Sequence, residues 1–360
     1  MNIESWFSAT YAEARSKFLA ACADSELSIE HHRNPRANGA RGEALFTDVA
    51  RIGPADAHRT LALISGTHGV EGYCGSGAQI GLLRSGAFDA LPPDTSVLLI
   101  HALNPYGFSH DRRVNEDNID INRNFIDFTS AYRPQSHYHE IHDHLVPDDW
   151  RGPARASADD KLSAYIAARG MCAFQAAVTS GQYDNPDGLF YGGSAPSWSN
   201  AVIGTVLTDH VAAARAVAVI DFHTGLGPYG HGELIAIGNE AQKTLSATIY
   251  GNQVTDPESG TSSSAPLDGM LAHGIAARLT DTQLSFITIE FGTYDIDTVL
   301  TALRGDNWLY QKAAMSNPHA ESIKGEIRRA FYPDVPDWKG LVWSRSLEVT
   351  ELALEGLASL

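Results

Sequence analysis

Four stretches of the chain carry residues able to do chemistry: THGVEG (67–72), RRVNEDNIDINRNF (112–125), DFHTG (221–225) and TIEFGTY (288–294). In the first, His68 and Glu71 stand three apart, and glycines 66, 69 and 72 let the backbone turn tightly around them. An imidazole and a carboxylate on a turn leading into a helix can meet one ion, and that ligand pair suits Zn²⁺. His223 ends the run AVAVIDFH, a setting too apolar to hide an unpaired imidazole without cost, and supplies a third ligand. Two histidines and one carboxylate, with a fourth position left for water, form a catalytic zinc arrangement rather than a structural one. Glu290 follows the mostly apolar residues 286–289. A carboxyl group at a buried strand end has its pKa raised by desolvation, which suits it to accept a proton.

The 112–125 stretch sets arginines among acids and asparagines. A fixed guanidinium can grip a carboxylate, and a second can stabilise an oxyanion. Taken singly, each motif also has a plainer reading: a solvated His/Glu pair, a core histidine satisfied by the backbone, a charged surface loop, a salt-bridged glutamate. HYHEIHDH (137–144) packs four His, a Glu and an Asp into eight residues. It is either a second metal site or, since its spacings fit neither a strand nor a helix face, a solvated loop. His101 ends a strand near the proposed site but is not in a ligand position, and His110, His231 and His273 receive no role.

Short apolar runs rich in β-branched residues predict strands over 61–65, 97–100, 216–222, 233–237 and 285–291. Helical patterns fall at 72–85, 158–178, 199–214, 265–279, 295–315 and 318–331. This alternation predicts an α/β fold: one mostly parallel mixed sheet with helices on both faces, residues 1–360 forming a single domain. Ligands bind such sheets at the carboxyl ends of the strands. There the chain places SGTHGVEG, HALNPYGF (101–108), DFHTG and IEFGTY. Residues 127–160, with Pro134, Pro147 and Pro153, read as an irregular excursion, and DPESGTSSSAP (256–266) as a loop before a helix.

Composition bounds the partners. The net charge of −17 argues against nucleic acid and anionic membranes, while a local arginine pocket still allows a small anionic substrate. No apolar run approaches the ~20 residues of a membrane span, and the N-terminus reads as an amphipathic helix rather than a signal peptide. Cys22, Cys74 and Cys172 are odd in number and far apart, so a reducing cytoplasm is the expected home. The sequence sets no oligomeric state.

Together the motifs resemble those of the zinc carboxypeptidases of the funnelin type, in the family's order and over about residues 60–295. THGVEG resembles the His-x-x-Glu metal motif at His68 and Glu71, and DFHTG supplies His223. Asn104-Pro105-Tyr106-Gly107 is similar to the family's Asn-Pro-Asp-Gly, with Tyr106 in place of Asp. RVNEDNIDINRNF is similar to Arg-x-Asn…Asp-Leu-Asn-Arg-Asn-Phe. The resemblance implies that Arg113 stabilises the transition state, that Asn122 and Arg123 clamp the substrate carboxylate, and that Asp120 orients His68. It also implies one Zn²⁺ and water activated by that ion, with Glu290, in Thr-Ile-Glu, as general base. The reaction is then cleavage of an amide bond beside a free carboxylate. DFHTG and IEFGTY also resemble the aspartoacylase and succinylglutamate desuccinylase branch. The substrate is thus a peptide or a small N-acyl amino acid, with a catalytically inactive binding relative as a further alternative. For the family's mobile tyrosine the candidates are Tyr250 and Tyr229. Residues 127–200 and the C-terminal helices expected at 295–360 lie outside every motif.

Overall fold

The computed structural model describes residues 2–130 and 137–360; Pro134 of the 127–160 excursion lies outside them. Eight strands, β1 (Ile29–Asn38), β2 (Ala44–Ile52), β3 (Arg59–Ile64), β4 (Thr95–His101), β5 (Ala216–Gly225), β6 (Gly232–Ala236), β7 (Val254–Thr255) and β8 (Gln283–Gly292), form one sheet. Their spatial order is β1-β2-β4-β3-β5-β8-β6-β7. The central strands β4, β3, β5 and β8 are parallel, whereas β1, β2 and β4 pair antiparallel, as do β8 and β6. The mostly parallel mixed sheet expected from the alternation is therefore present.

Side chains along a strand alternate between faces, and the central strands are apolar on both. Leu61, Leu63, Val97, Leu99, Ala218 and Ile220 face one layer of helices. That layer holds α1 (Tyr11–Asp24) and α2 (Gly72–Ser85). Ala62, Ile64, Leu98, Ile100, Val217 and Val219 face the other way, toward two later helices at Trp198–Val211 and Leu271–Arg278. The helices between are α3 (Pro105–Ser109), α4 (His142–Leu145), α5 (Pro153–Arg169) and α6 (Met171–Thr179), followed by α7 (Trp198–Val211), α8 (Glu240–Tyr250) and α9 (Leu271–Arg278). The chain closes with α10 (Ile296–Gln311), α11 (Ala320–Phe331) and α12 (Pro336–Ala358); α12 and α8 join the layer of α1 and α2. A third apolar cluster, with Phe174, Val178, Phe190, Val299, Leu303 and Phe331, ties α6 to α10 and α11 beyond the strand ends.

Several expectations are corrected. The helix expected over 158–178 is two, broken at Gly170 (φ 85, ψ 160), and the one expected over 265–279 starts only at Leu271 because residues before it form the loop. The 127–160 excursion is not wholly irregular: a 3₁₀ turn (His137–Glu140), α4 and the start of α5 bury Tyr138, Ile141 and Leu145 in the third cluster. In the histidine-rich stretch His137 pairs with Glu140 and His142 with Asp187, and among the described residues this stretch holds no converging ligand group. No described helix is long and apolar enough to cross a membrane.

Candidate active site

The reactive side chains come from consecutive strand ends. On β5, Asp221 and His223 have the same parity as Val217 and Val219; on β8, Thr288 and Glu290 have that of Leu284 and Phe286. All therefore face the α7/α9 side of the sheet, and the parallel register sets His223 beside Glu290 and Asp221 beside Thr288. After β3 the chain turns at Gly66 (φ 71) and passes so close to the loop after β4 that a Cβ on Gly69 would lie 2.0 Å from the Gly107 backbone. Only glycine fits there. Val70 N–H and Gly69 N–H donate to Arg112 O and Arg113 O, so the His68–Glu71 turn and the arginine stretch are sewn together.

Glu71 occupies the N-cap of α2, where an acid would ordinarily accept from the helix's own N–H groups. It makes no such bond; its Oε2 accepts from Thr224 N at 3.0 Å and its carboxylate turns toward two imidazoles. His68 Nδ1 lies 3.0 Å from Glu71 Oε1, His223 Nδ1 lies 3.2 Å from Glu71 Oε2, and the two Nδ1 atoms are 3.1 Å apart. These are close to the ~3.3 Å edge of a tetrahedron of ligands around zinc. Among the described residues, they form the one converging group of three or more possible ligands, and all three are buried.

The opposite ring nitrogens make the donor set fit a cation. His223 Nε2 sits 2.6 Å from Asp221 Oδ2, and His68 Nε2 sits 3.1 Å from Asp120 Oδ1. At His223 a proton on Nε2, donated to Asp221, leaves the Nδ1 lone pair directed at the shared point; at His68 the same tautomer, donating to Asp120, requires Arg113 Nη2, 2.8 Å away and only a donor, to draw back from Nε2. Asp120 also accepts from Arg113 Nε and Asn122 N, and Asp221 from Thr67 Oγ1. Asp221 was not foreseen. Its signal was its place two residues before His223 on a strand, which puts both on one face.

Burial alone would raise the carboxyl groups of Glu71 and Asp120. For Glu71 the two imidazoles and Arg113 together outweigh it, and for Asp120 Arg113, His68 and Arg123 together do, so both are held below the usual carboxylate range. Glu290 behaves differently: burial, reinforced by the negative charge of Glu71, pushes it up to about 7. Its Oε1 accepts from Leu226 N at 2.9 Å.

Arg113 donates from Nη1 to Glu71 and from Nε to Asp120, with Nη2 2.8 Å from His68 Nε2. Arg123 is buried and donates from Nε and Nη2 to Thr179 O and from Nη1 to Asn122 O, so three of its five N–H groups are engaged by the backbone. Asn122 Oδ1 accepts from Leu271 N, which leaves its amide N–H groups available. His68, His223, Glu290, Arg113, Asn122 and Arg123 all line one cavity of about 340 Å³. Neither tyrosine candidate does: Tyr250 is packed in the core beside α12, and Tyr229 is exposed with its hydroxyl toward Asp337. Tyr106, in the departed Asp position, stacks on His110, while the Asn104 side chain accepts from Gly107 N and donates to Arg113 O.

Comparison with known proteins gives the following. A family model described as "Protein of unknown function (DUF2817)" matches residues 7–345. No curated protein matches the chain. Among solved structures, thrombin activatable fibrinolysis inhibitor is similar with TM-score 0.50 at 9% identity, over 97% of this chain and 74% of that chain. Carboxypeptidase A from Helicoverpa armigera gives TM-score 0.45 at 12% identity, over 90% and 74% of the two chains. Succinylglutamate desuccinylase from Chromobacterium violaceum gives 0.33 at 13% identity, over 89% and 74%. At 9% identity the likeness to thrombin activatable fibrinolysis inhibitor is one of fold alone, and it agrees with the fold that the motif resemblance implied.

Proposed function

This chain belongs to the DUF2817 family, and from that premise we propose that it is a metal-dependent hydrolase that cleaves an amide bond beside a free carboxylate. The observation that supports this best is the convergence of His68 Nδ1, Glu71 and His223 Nδ1, each ring backed by a carboxylate, in a cavity that Glu290 also lines. These three residues would hold one divalent ion, Zn²⁺ by the chemistry of the donor set. Such an ion, when bound, polarises a carbonyl and makes water acidic enough to serve as a nucleophile near neutral pH.

The chain's own groups supply the rest. Glu290 takes the proton of the attacking water and passes it to the leaving nitrogen. Leu226 N–H holds its Oε1, which leaves Oε2 for the proton. A carboxyl group near 7 is well matched to both halves of that transfer, and a nearby cation would draw the value down. Arg113, fixed by Glu71 and Asp120, adds positive charge where the carbonyl oxygen becomes an oxyanion. The amide of Asn122 and the two remaining N–H groups of Arg123 hold the substrate carboxylate, so that the scissile bond lies over the ligand trio. The whole chain, 1–360, acts as one unit in this reading. Three free thiols, Cys172 exposed among them, support a reducing compartment such as the cytoplasm.

The test combines metal analysis with turnover of short peptides and N-acyl amino acids. Glu290→Gln is expected to keep its metal and lose turnover by orders of magnitude; undiminished turnover removes Glu290 from the role. A protein that takes up no divalent ion under any reconstitution supports an inactive binding relative instead.

A further inference from the structure

The cavity has a half that the proposed chemistry does not use. Its wall is built by Phe174, Val178, Phe190, Val299, Leu303 and Phe331, supplied by α6, α10, α11 and the loop before α7. None of these residues lies in a motif. All six belong to the third apolar cluster, so this core remains open on the side facing the reacting groups.

Two of them reach those groups. A Cβ built on Gly225 would lie 3.3 Å from the Phe331 ring and 3.5 Å from Glu290 Oε1, so the ring flanks the carboxyl group. Phe190 lies 5.1 Å from the Arg113 guanidinium and 5.7 Å from that of Arg123. It is held there at φ 52, a conformation unfavourable to any residue with a Cβ. The polar clamp lies between Leu271 at the start of α9, which is bonded to Asn122, and Thr179 at the end of α6, which is bonded to Arg123, so the α6 end of the wall adjoins the clamp and the Phe331 end adjoins Glu290. A substrate with its carboxylate at Asn122 and Arg123 and its carbonyl at the trio therefore extends its acyl part toward Phe331.

On the hydrolase reading of this site, we infer that the part of the lobe bounded by α10 and α11 is an acyl pocket, and that the substrate carries an apolar group on the acyl side of the scissile amide. Either a straight acyl chain or the side chain of a penultimate apolar residue has that chemistry. Burial of apolar surface here raises kcat/KM by about fourfold per methylene until the lobe is full.

The experiment uses the metal-loaded full chain with N-acetyl, N-butyryl, N-hexanoyl and N-octanoyl derivatives of one amino acid, and N-acetyl-Gly and N-acetyl-Leu derivatives of the same one. Binding of the same compounds to Glu290→Gln is measured by calorimetry. A rise along the alkyl series identifies a straight acyl chain, a gain of leucine over glycine identifies a penultimate side chain, and either supports the pocket. Val299→Trp, which fills the lobe, is expected to lower the hexanoyl-to-acetyl ratio of kcat/KM at least tenfold. If that variant fails to fold, the calorimetric ratio in Glu290→Gln decides. Equal cleavage of acetyl, hexanoyl, glycyl and leucyl compounds overturns the acyl pocket and leaves the hydrolase reading standing. Tighter binding of the hexanoyl compound with no cleavage by the wild-type chain does the reverse. Neither cleavage nor binding overturns both.

Discussion

Asp221→Asn isolates the contribution of a carboxylate that would not itself touch an ion held by His68, Glu71 and His223. Its Oδ2 lies 2.6 Å from His223 Nε2 and its Oδ1 lies 2.7 Å from Thr67 Oγ1, with the residue fully buried. Asparagine keeps the shape: its oxygen can accept from Nε2–H while its amide donates to the threonine hydroxyl, which accepts as readily as it donates. What disappears is one negative charge behind the imidazole and the short, charge-assisted character of the bond. Loss of such a partner typically weakens metal binding by about 10- to 100-fold, or ~1.4–2.7 kcal/mol. The burial of Asp221 places the effect toward the upper end. Asp120 would be a poorer choice, because it also holds Arg113 and the Asn122 backbone. The assay is competition for Zn²⁺ against a chromophoric chelator at one pH, with the melting temperature of the ion-free protein as a control for folding. A Zn²⁺ affinity within about twofold of wild type, with folding intact, would refute the claim that this carboxylate directs the His223 lone pair.

Two further outcomes follow from the packing. Gly69→Ala places a methyl group against the Gly107 backbone, which cannot yield as a side chain would; we expect more than about 3 kcal/mol of destabilisation, read by urea unfolding, together with loss of metal uptake. Asp48 is buried between Arg15 and His31; burial raises its pKa, but the bonds from those two residues outweigh it and hold the group below its ordinary 3.8. A depressed carboxylate stabilises the fold above its unfolded pKa, and that contribution is lost as pH falls through the folded value. Asp48→Asn should therefore cost on the order of 2 kcal/mol at pH 7, with the gap to wild type closing below about pH 3.8 in chemical denaturation curves.

The parts of this protein legible in its sequence are those where one residue type has few alternatives. Strands buried on both faces, such as residues 216–222, have to be continuously apolar, and polar residues where such runs stop mark a site. His68, Glu71, His223, Asp120, Arg113, Asn122, Arg123 and Glu290 were singled out as candidates that way or through motif resemblance, and the fold brings them together. Illegible were elements whose faces are unequal. β1 (IEHHRNPRAN) is an edge strand with polar residues and a proline, so neither its composition nor its alternation advertises a strand. β2 reads ALFTDVARI, and its Asp48 is explicable only once Arg15 and His31 arrive from elsewhere in the chain. Helices were expected over 295–360, but the buried face of α12 was not legible: it holds Trp338, Val342, Val349 and Ala353, and serine, threonine and lysine among its buried positions blur the pattern. Asp221 was missed because its neighbours made it look like part of an apolar run.

The central strands β4, β3, β5 and β8 are neighbours, whereas the apolar wall across from them comes from residues 171–190 and 296–331. In the proposed reading, reactivity and selectivity would fall largely to different building blocks, joined where Arg123 is bonded to Thr179. In that reading, a chimera exchanging residues 171–190 and 296–331 together would inherit the donor's preference while running on the recipient's machinery.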